Sequence, residues 1–158
     1  RQSRRIRKRL PDGRTAPPDG GYRRYESWVN SVVSPEEIAA SRFIDSPLPN
    51  PSTLVRRTEL EFFGGYADPE WAEDYDLWLR MLEAGRKMGK SEEVLLDWFD
   101  AADRSTRTLA RYEWRRFQAA KAHYLGRLPR VRERGVVLAG AGPTGKEFAG
   151  LLLDAGEV

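Results

Sequence analysis

Ala72 to Arg80 reads A-E-D-Y-D-L-W-L-R. Carried on to Leu82, it sets Tyr75, Trp78, Leu79 and Leu82 at i, i+3, i+4 and i+7, which is one apolar stripe along a helix. That stripe is core packing. Gly85 is placed to stop the helix, and Asp68-Pro69-Glu70 is placed to open it: an acidic cap, then a proline whose missing N–H costs nothing at a first helical position. Glu73 and Asp74 fall near this start, with Glu70 and Asp76 close by. Acids there interact favourably with the positive helix end, worth ~0.3–1 kcal/mol each, and residue type alone assigns them that role.

Upstream the chain is punctuated. Gly64-Gly65 ends a short helical turn, E-L-E-F-F, capped by Thr58. Paired glycines fit a plain helix stop, or a backbone that needs positive φ or a close approach to something. Thr53 to Arg56 reads as a short strand, and Ser46 to Pro51, with three prolines, as an irregular extended passage. Ser34-Pro35-Glu36-Glu37 opens a helix that should end near Ser41. Before it, Tyr22, Tyr25, Val29 and Val32 recur at helical spacing beside Trp28. Residues 10 to 21 hold three prolines and three glycines and read as a loop.

Downstream, Lys87 to Lys90 and Val94 to Phe99 read as short neighbouring strands. Ser105 is placed to cap a long helix to about Leu125 that buries Trp114, Phe117, Ala120 and Tyr124. Gly126 to Arg134 is basic and holds Pro129, so it reads as a linker. Gly135 to Gly140 reads as a buried strand leading into G-A-G-P-T-G, and Lys146 to Ala155 as a helix. Four segments follow from this: a basic and Pro/Gly-rich tail over 1–20, a main unit over 21–126, a linker over 127–134, and a strand-turn-helix over 135–158. The expected class is α/β and rich in helix.

Bulk properties narrow the classes. The chain has 158 residues, 40% hydrophobic and 32% charged, with five Trp, enough for one domain with a core. With no cysteine, disulfides and thiolate metal sites are excluded, and the single histidine, His123, makes no His-rich site. No apolar run approaches the ~18 residues of a membrane span. The expectation is a cytoplasmic protein, free or at the membrane periphery. Arg1 is not an initiator methionine, so a piece of something longer is expected. The net charge of +3 is uneven, with Arg1, Arg4, Arg5, Arg7, Lys8, Arg9 and Arg14 crowded at the N-terminus. Such a run fits a solvated segment, or a tail for nucleic acid or an anionic membrane. It lacks the interleaved aromatics of a base-stacking surface, and no specific nucleic acid is expected.

Three pieces together carry a resemblance: P-L-P-N-P-S-T-L-V-R-R at Pro47 to Arg57, Gly64-Gly65-Tyr66, and E-D-Y-D-L-W-L-R at Glu73 to Arg80. In this order they are similar to the acceptor-side part of a family 2 glycosyltransferase, over roughly residues 20 to 126. The resemblance implies part of a GT-A fold, without the nucleotide-binding half and its Asp-x-Asp metal motif. It implies transfer of a sugar, with inversion, from a nucleotide-diphosphate donor to an acceptor hydroxyl on a saccharide, a lipid-linked molecule or a protein. Asp74 would be the general base, and Glu73 would position it or touch the acceptor. Gly64, Gly65 and Tyr66 would form the turn beside the acceptor. Trp98 to Arg107, W-F-D-A-A-D-R-S-T-R, resembles a later family segment in which Arg104 and Arg107 would face the donor diphosphate. The intact enzyme would use Mg²⁺ or Mn²⁺, and residues 1–158 alone would have little or no activity. Two departures stand out: Phe99 occupies a place where relatives often carry Arg, and no His follows the last strand.

G-A-G-P-T-G-K at Gly140 to Lys146 suggests a second function. Gly140, Gly142 and Gly145, between a strand and a helix, match the start of a Rossmann-like nucleotide site, or a turn that binds nothing. Glu147 stands where a phosphate-binding loop would place its magnesium-binding Ser or Thr, so that reading is rejected. A wholly different class, a non-catalytic basic module for nucleic acid or anionic membrane, rests on the N-terminal arginines.

Overall fold

The computed structural model describes residues 4–10, 12–100 and 103–155. Some positions named above lie outside the described residues: Arg1, Pro11, Ala101, Ala102 and Gly156 to Val158, together with the side chains of Arg4, Arg5 and Arg9. Among the described residues the fold is mixed α/β and rich in helix, with one small sheet. Its strands are β1 (Arg4–Arg9), β2 (Thr15–Ala16) and β3 (Leu96–Asp100). Its helices are α1 (Gly20–Ser31), α2 (Pro35–Ser41), α3 (Arg57–Phe62), α4 (Glu73–Glu83), α5 (Ser105–Thr108), α6 (Trp114–Gly126), α7 (Pro129–Arg134) and α8 (Pro143–Asp154).

Local signals formed the elements they predict where both partners lie close in sequence. Asp19 accepts from the Tyr22 backbone N–H at 3.2 Å and starts α1. Ser34 and Glu37 exchange backbone bonds in a reciprocal cap at the head of α2. Gly64 and Gly65 both take positive φ, 71° and 72°, as the turn after α3 requires. Helix α4 is the centre of the molecule. Its Leu77, Trp78 and Met81 pack with Val32, Ile38 and Leu48 on one side. Its Tyr75 and Leu79 pack with Ala120 and Tyr124 of α6 on the other. The outer helix α8 lies against α6 and buries Leu152.

Several expectations are corrected. The basic N-terminal segment is not a tail: β1 is the central strand of the sheet, antiparallel to β2 and parallel to β3, with Ile6 opposite Trp98. Ile6 is buried and Arg7 pairs with Asp97 at 3.7 Å. The partner of β3 is therefore β1, and Lys87 to Lys90 is no strand. That segment is tied to the α1–α2 junction instead, where the Lys90 backbone N–H donates to Val33 O at 3.0 Å, and the Lys90 ammonium reaches the passage after α2 at Pro47 O. Thr53 to Arg56 is irregular, and Asp68-Pro69 stays outside α4, whose cap is Ala72. The long helix from Ser105 is broken, because Leu109 and Glu113 are extended on either side of a 3-10 turn, Ala110–Tyr112. Trp114, expected in the core, is 61% exposed. Helix α7 occupies the expected linker over Gly126 to Arg134. Gly135 to Gly140 is not a strand and is exposed throughout, since an apolar run makes a strand only where an edge is there to pair with it.

A candidate functional site at the head of helix α4

The residues at the start of α4 open onto a cleft of about 910 Å³, walled by α1, the passage Asp45–Pro51, Trp98, the segment Asp103–Thr106, and α6. Glu73 and Asp74 both line it. Their environments differ. Tyr112 donates its hydroxyl to both Glu73 oxygens, at 2.8 and 3.0 Å, and Arg111 stands 3.5 Å from the same carboxylate. The break in the helix after Thr108 makes this possible, since the 3-10 turn directs Arg111 and Tyr112 at the head of α4. Asp74 accepts the Tyr75 backbone N–H on Oδ1 at 2.7 Å. Burial pushes the Asp74 carboxyl above the usual aspartate range, and the Glu73 charge adds to it. The backbone hydrogen bond from Tyr75 acts the other way, and loss of solvent outweighs it.

The glycine turn lies beside this head. Tyr66 donates its hydroxyl to Asn50 Oδ1 at 2.7 Å, and Asn50 lines the cleft. Burial, then the nearby Asp74 charge, pushes the Tyr66 hydroxyl up. Arg80 donates to the carbonyls of Phe63 and Gly65 at 2.5 and 2.8 Å and to Asp76 at 2.8 Å, bracing the turn against α4. Asp76, itself buried, also accepts from Trp71 Nε1 at 3.0 Å and the Tyr124 hydroxyl at 2.8 Å. So the second aspartate and the arginine of the octet act structurally. Gly64, Gly65 and Tyr66 are not cleft-lining residues themselves.

Arg104 lines the cleft, and its guanidinium lies 4.2 Å from the Trp98 ring centroid. Its Nη1 is 3.6 Å from Asp100 and has no hydrogen-bond partner among the described residues. Arg107 binds both Asp100 oxygens, at 3.3 and 2.6 Å, and is not part of the cleft lining. The two arginines therefore share one buried carboxylate. Gly140, Gly142 and Gly145 lie away from the cleft. The strand a dinucleotide fingerprint requires is not there. Gly142 precedes α8, Gly140 has φ +125°, and a Cβ on Gly145 would stand 2.2 Å from the Gly140 carbonyl oxygen, so these glycines serve a tight turn.

Sequence reading missed Tyr112, Arg111, Asp45 and Lys121. Lys121 lines the cleft, is 6% exposed, and donates to Ile44 O at 2.9 Å. A signal was available for it, because Phe117, Lys121 and Tyr124 fall on one face of α6 and a lone charge on an apolar face needs a buried partner. Asp45, in the proline-rich passage, had none. No group of three or more His, Asp or Glu able to hold a metal occurs among the described residues. The two cleft-floor carboxylates do not fit one either, since Glu73 already has Tyr112 and Arg111 as partners. No family model, curated protein or solved structure matches the chain. No helix among the described residues is long and apolar enough to cross a membrane.

Proposed function

We propose that this chain is the acceptor-binding part of an inverting sugar transferase of the family 2 type, with Asp74 as its general base. One observation carries the reading most: of two adjacent carboxylates at the head of α4, Glu73 is fixed by Tyr112 and Arg111, while Asp74 faces a large cleft with its carboxyl pushed up by burial. A base whose proton affinity lies nearer neutrality transfers protons more effectively, and a placed base contributes ~10²–10⁴-fold.

The chemistry is a single displacement. The acceptor oxygen forms a bond to the anomeric carbon of the donor sugar. The bond from that carbon to the diphosphate oxygen breaks, and the diphosphate leaves with the electron pair. The acceptor hydroxyl proton passes to an Asp74 oxygen. Glu73 keeps the head of α4 in place and holds negative charge beside Asp74, which raises its basicity. Arg104, with a buried guanidinium nitrogen left without a hydrogen bond, is the group available to a donor phosphate oxygen. Arg107 acts behind it through Asp100. The described residues do not form a divalent-metal site; the donor-binding portion of the intact enzyme would supply it.

The test uses the intact transferase that carries these residues, assayed against a panel of nucleotide-diphosphate sugars. Asp74→Asn is expected to lower turnover at least ~100-fold with donor affinity unchanged. Normal turnover in that variant removes Asp74 from the mechanism.

A further inference from the structure

The same cleft has a wall whose side chains the transfer chemistry above does not use. Five carboxylates line the cleft as a whole, Asp19, Asp45, Glu73, Asp74 and Asp103, against two cations, Arg104 and Lys121. Arg104 lies 3.6 Å from Asp100 and Lys121 donates to the Ile44 carbonyl, so the five acids outnumber the cations. The space is therefore acidic, and a low-dielectric wall strengthens that field. The wall made by α6 is aromatic. Phe117 stacks on Tyr75 with ring centroids 5.5 Å apart and is held in place. Trp114, at the first position of α6, lines the same cleft yet is 61% exposed. Its ring lies 5.4 Å from the Lys121 ammonium. Asp45 and Lys121 act on each other: burial pushes the aspartate up and the lysine down, and each charge opposes the shift of the other. A large exposed indole beside a buried ammonium, in a cleft that also holds the half-buried Asp45, joins a flat apolar face to hydrogen-bonding groups of both kinds.

Resting on the transferase reading above, we propose that Trp114, Asp45 and Lys121 form the platform for the acceptor, and that the acceptor is an uncharged saccharide. A sugar ring offers an apolar face of C–H groups to the indole and hydroxyls at its rim. Those hydroxyls donate to Asp45 and accept from Lys121. An anionic acceptor, a uronic acid or a phosphorylated sugar, meets the excess of negative charge and is disfavoured. A protein acceptor has no flat polyhydroxylated face to match the indole.

The experiment titrates residues 1–158 with maltotriose, cellotriose, N-acetylchitotriose and trigalacturonate, following tryptophan fluorescence and the indole N–H resonances. At least one neutral trisaccharide is expected to saturate and to shift the Trp114 resonance, and trigalacturonate to bind at least tenfold more weakly. Trp114→Ala is expected to weaken the neutral ligand roughly tenfold, and Trp114→Phe to restore most of it, because a ring face rather than the indole N–H does the binding. Equal or tighter binding of trigalacturonate, no binding by any neutral trisaccharide, or unchanged affinity in Trp114→Ala would each overturn the platform. Turnover in the intact enzyme is read separately. Neutral-saccharide binding together with turnover that Asp74→Asn leaves untouched supports the platform and removes the base. Loss of turnover in Asp74→Asn with no trisaccharide bound overturns the platform and keeps the base.

Discussion

Tyr112 donates one hydroxyl hydrogen to a carboxylate that it faces nearly symmetrically, 2.8 Å from Glu73 Oε1 and 3.0 Å from Oε2. The two residues come from elements far apart in sequence, and their contact ties the broken segment before α6 to the head of α4. Burial, then this hydrogen bond, holds the Tyr112 hydroxyl well above the usual phenol range. The bond is therefore present on both sides of neutrality. Tyr112→Phe removes it and leaves Glu73 with Arg111 at 3.5 Å. A hydrogen bond to a charged, partly exposed group contributes about 1 kcal/mol after solvent screening. A chain of this size should then melt about 2–4 °C lower. Calorimetry of the variant checks this, and an unchanged melting temperature would show that the contact does not hold the head of α4.

Asp74 predicts a pH dependence with a definite sign. The folded protein holds this proton more tightly than the unfolded chain, because burial raises the carboxyl above its ordinary 3.8. Stability contributed by the protonated form is complete below that ordinary value and is lost as pH rises through the higher folded value. At neutral pH the ionised, desolvated Asp74 is therefore a cost. Asp74→Asn should melt higher than the native chain at about pH 7, and the gap should close by about pH 3, where both side chains are neutral. Asp45, also pushed up by burial, is common to both proteins and drops out of the difference. A gap that persists or widens in acid would place Asp74 in solvent.

What could be read from the sequence was local. The reciprocal cap of Ser34 and Glu37 forms between residues three apart, so its energetics do not wait for the fold. The stripe of Tyr75, Trp78 and Leu79 declares a buried helix face whatever covers it. Strand β1 was hidden because nothing in R-R-I-R-K-R alternates cleanly. Its stability comes from Leu96–Asp100, on a distant part of the chain, and Ile6 is its one visible apolar contribution. The run Val136-Val137-Leu138 failed in the opposite way: the residues favour a strand, but the structure gives them no edge, and Val137 is left 93% exposed. The candidate site divides along the same line. Glu73 and Asp74 stand out through the family resemblance of their stretch, since residue type alone assigns them to the helix end. Tyr112, Asp45 and Lys121 reach the cleft only through packing of distant segments, and of these only Lys121 left a trace, as a charge on an apolar face.

The buried cluster around Asp76 tests the view that the rest of the octet is a brace. Asp76 takes hydrogen bonds from Trp71, Arg80 and Tyr124, and Arg80 in turn holds the carbonyls of Phe63 and Gly65. Asp76→Ala removes the shared acceptor and leaves a mostly buried guanidinium and two ring donors without it. Breaking one side of such a pair costs about 3 kcal/mol or more. Urea denaturation should show that loss, with the slope unchanged. The glycine turn, released from Arg80, should exchange its amide hydrogens faster than in the native protein while α2, capped by its own residues, keeps its protection. If α2 and the turn lose protection together, Asp76 supports the whole fold rather than the turn. If neither changes, Asp76 and Arg80 owe their identity to something other than this network.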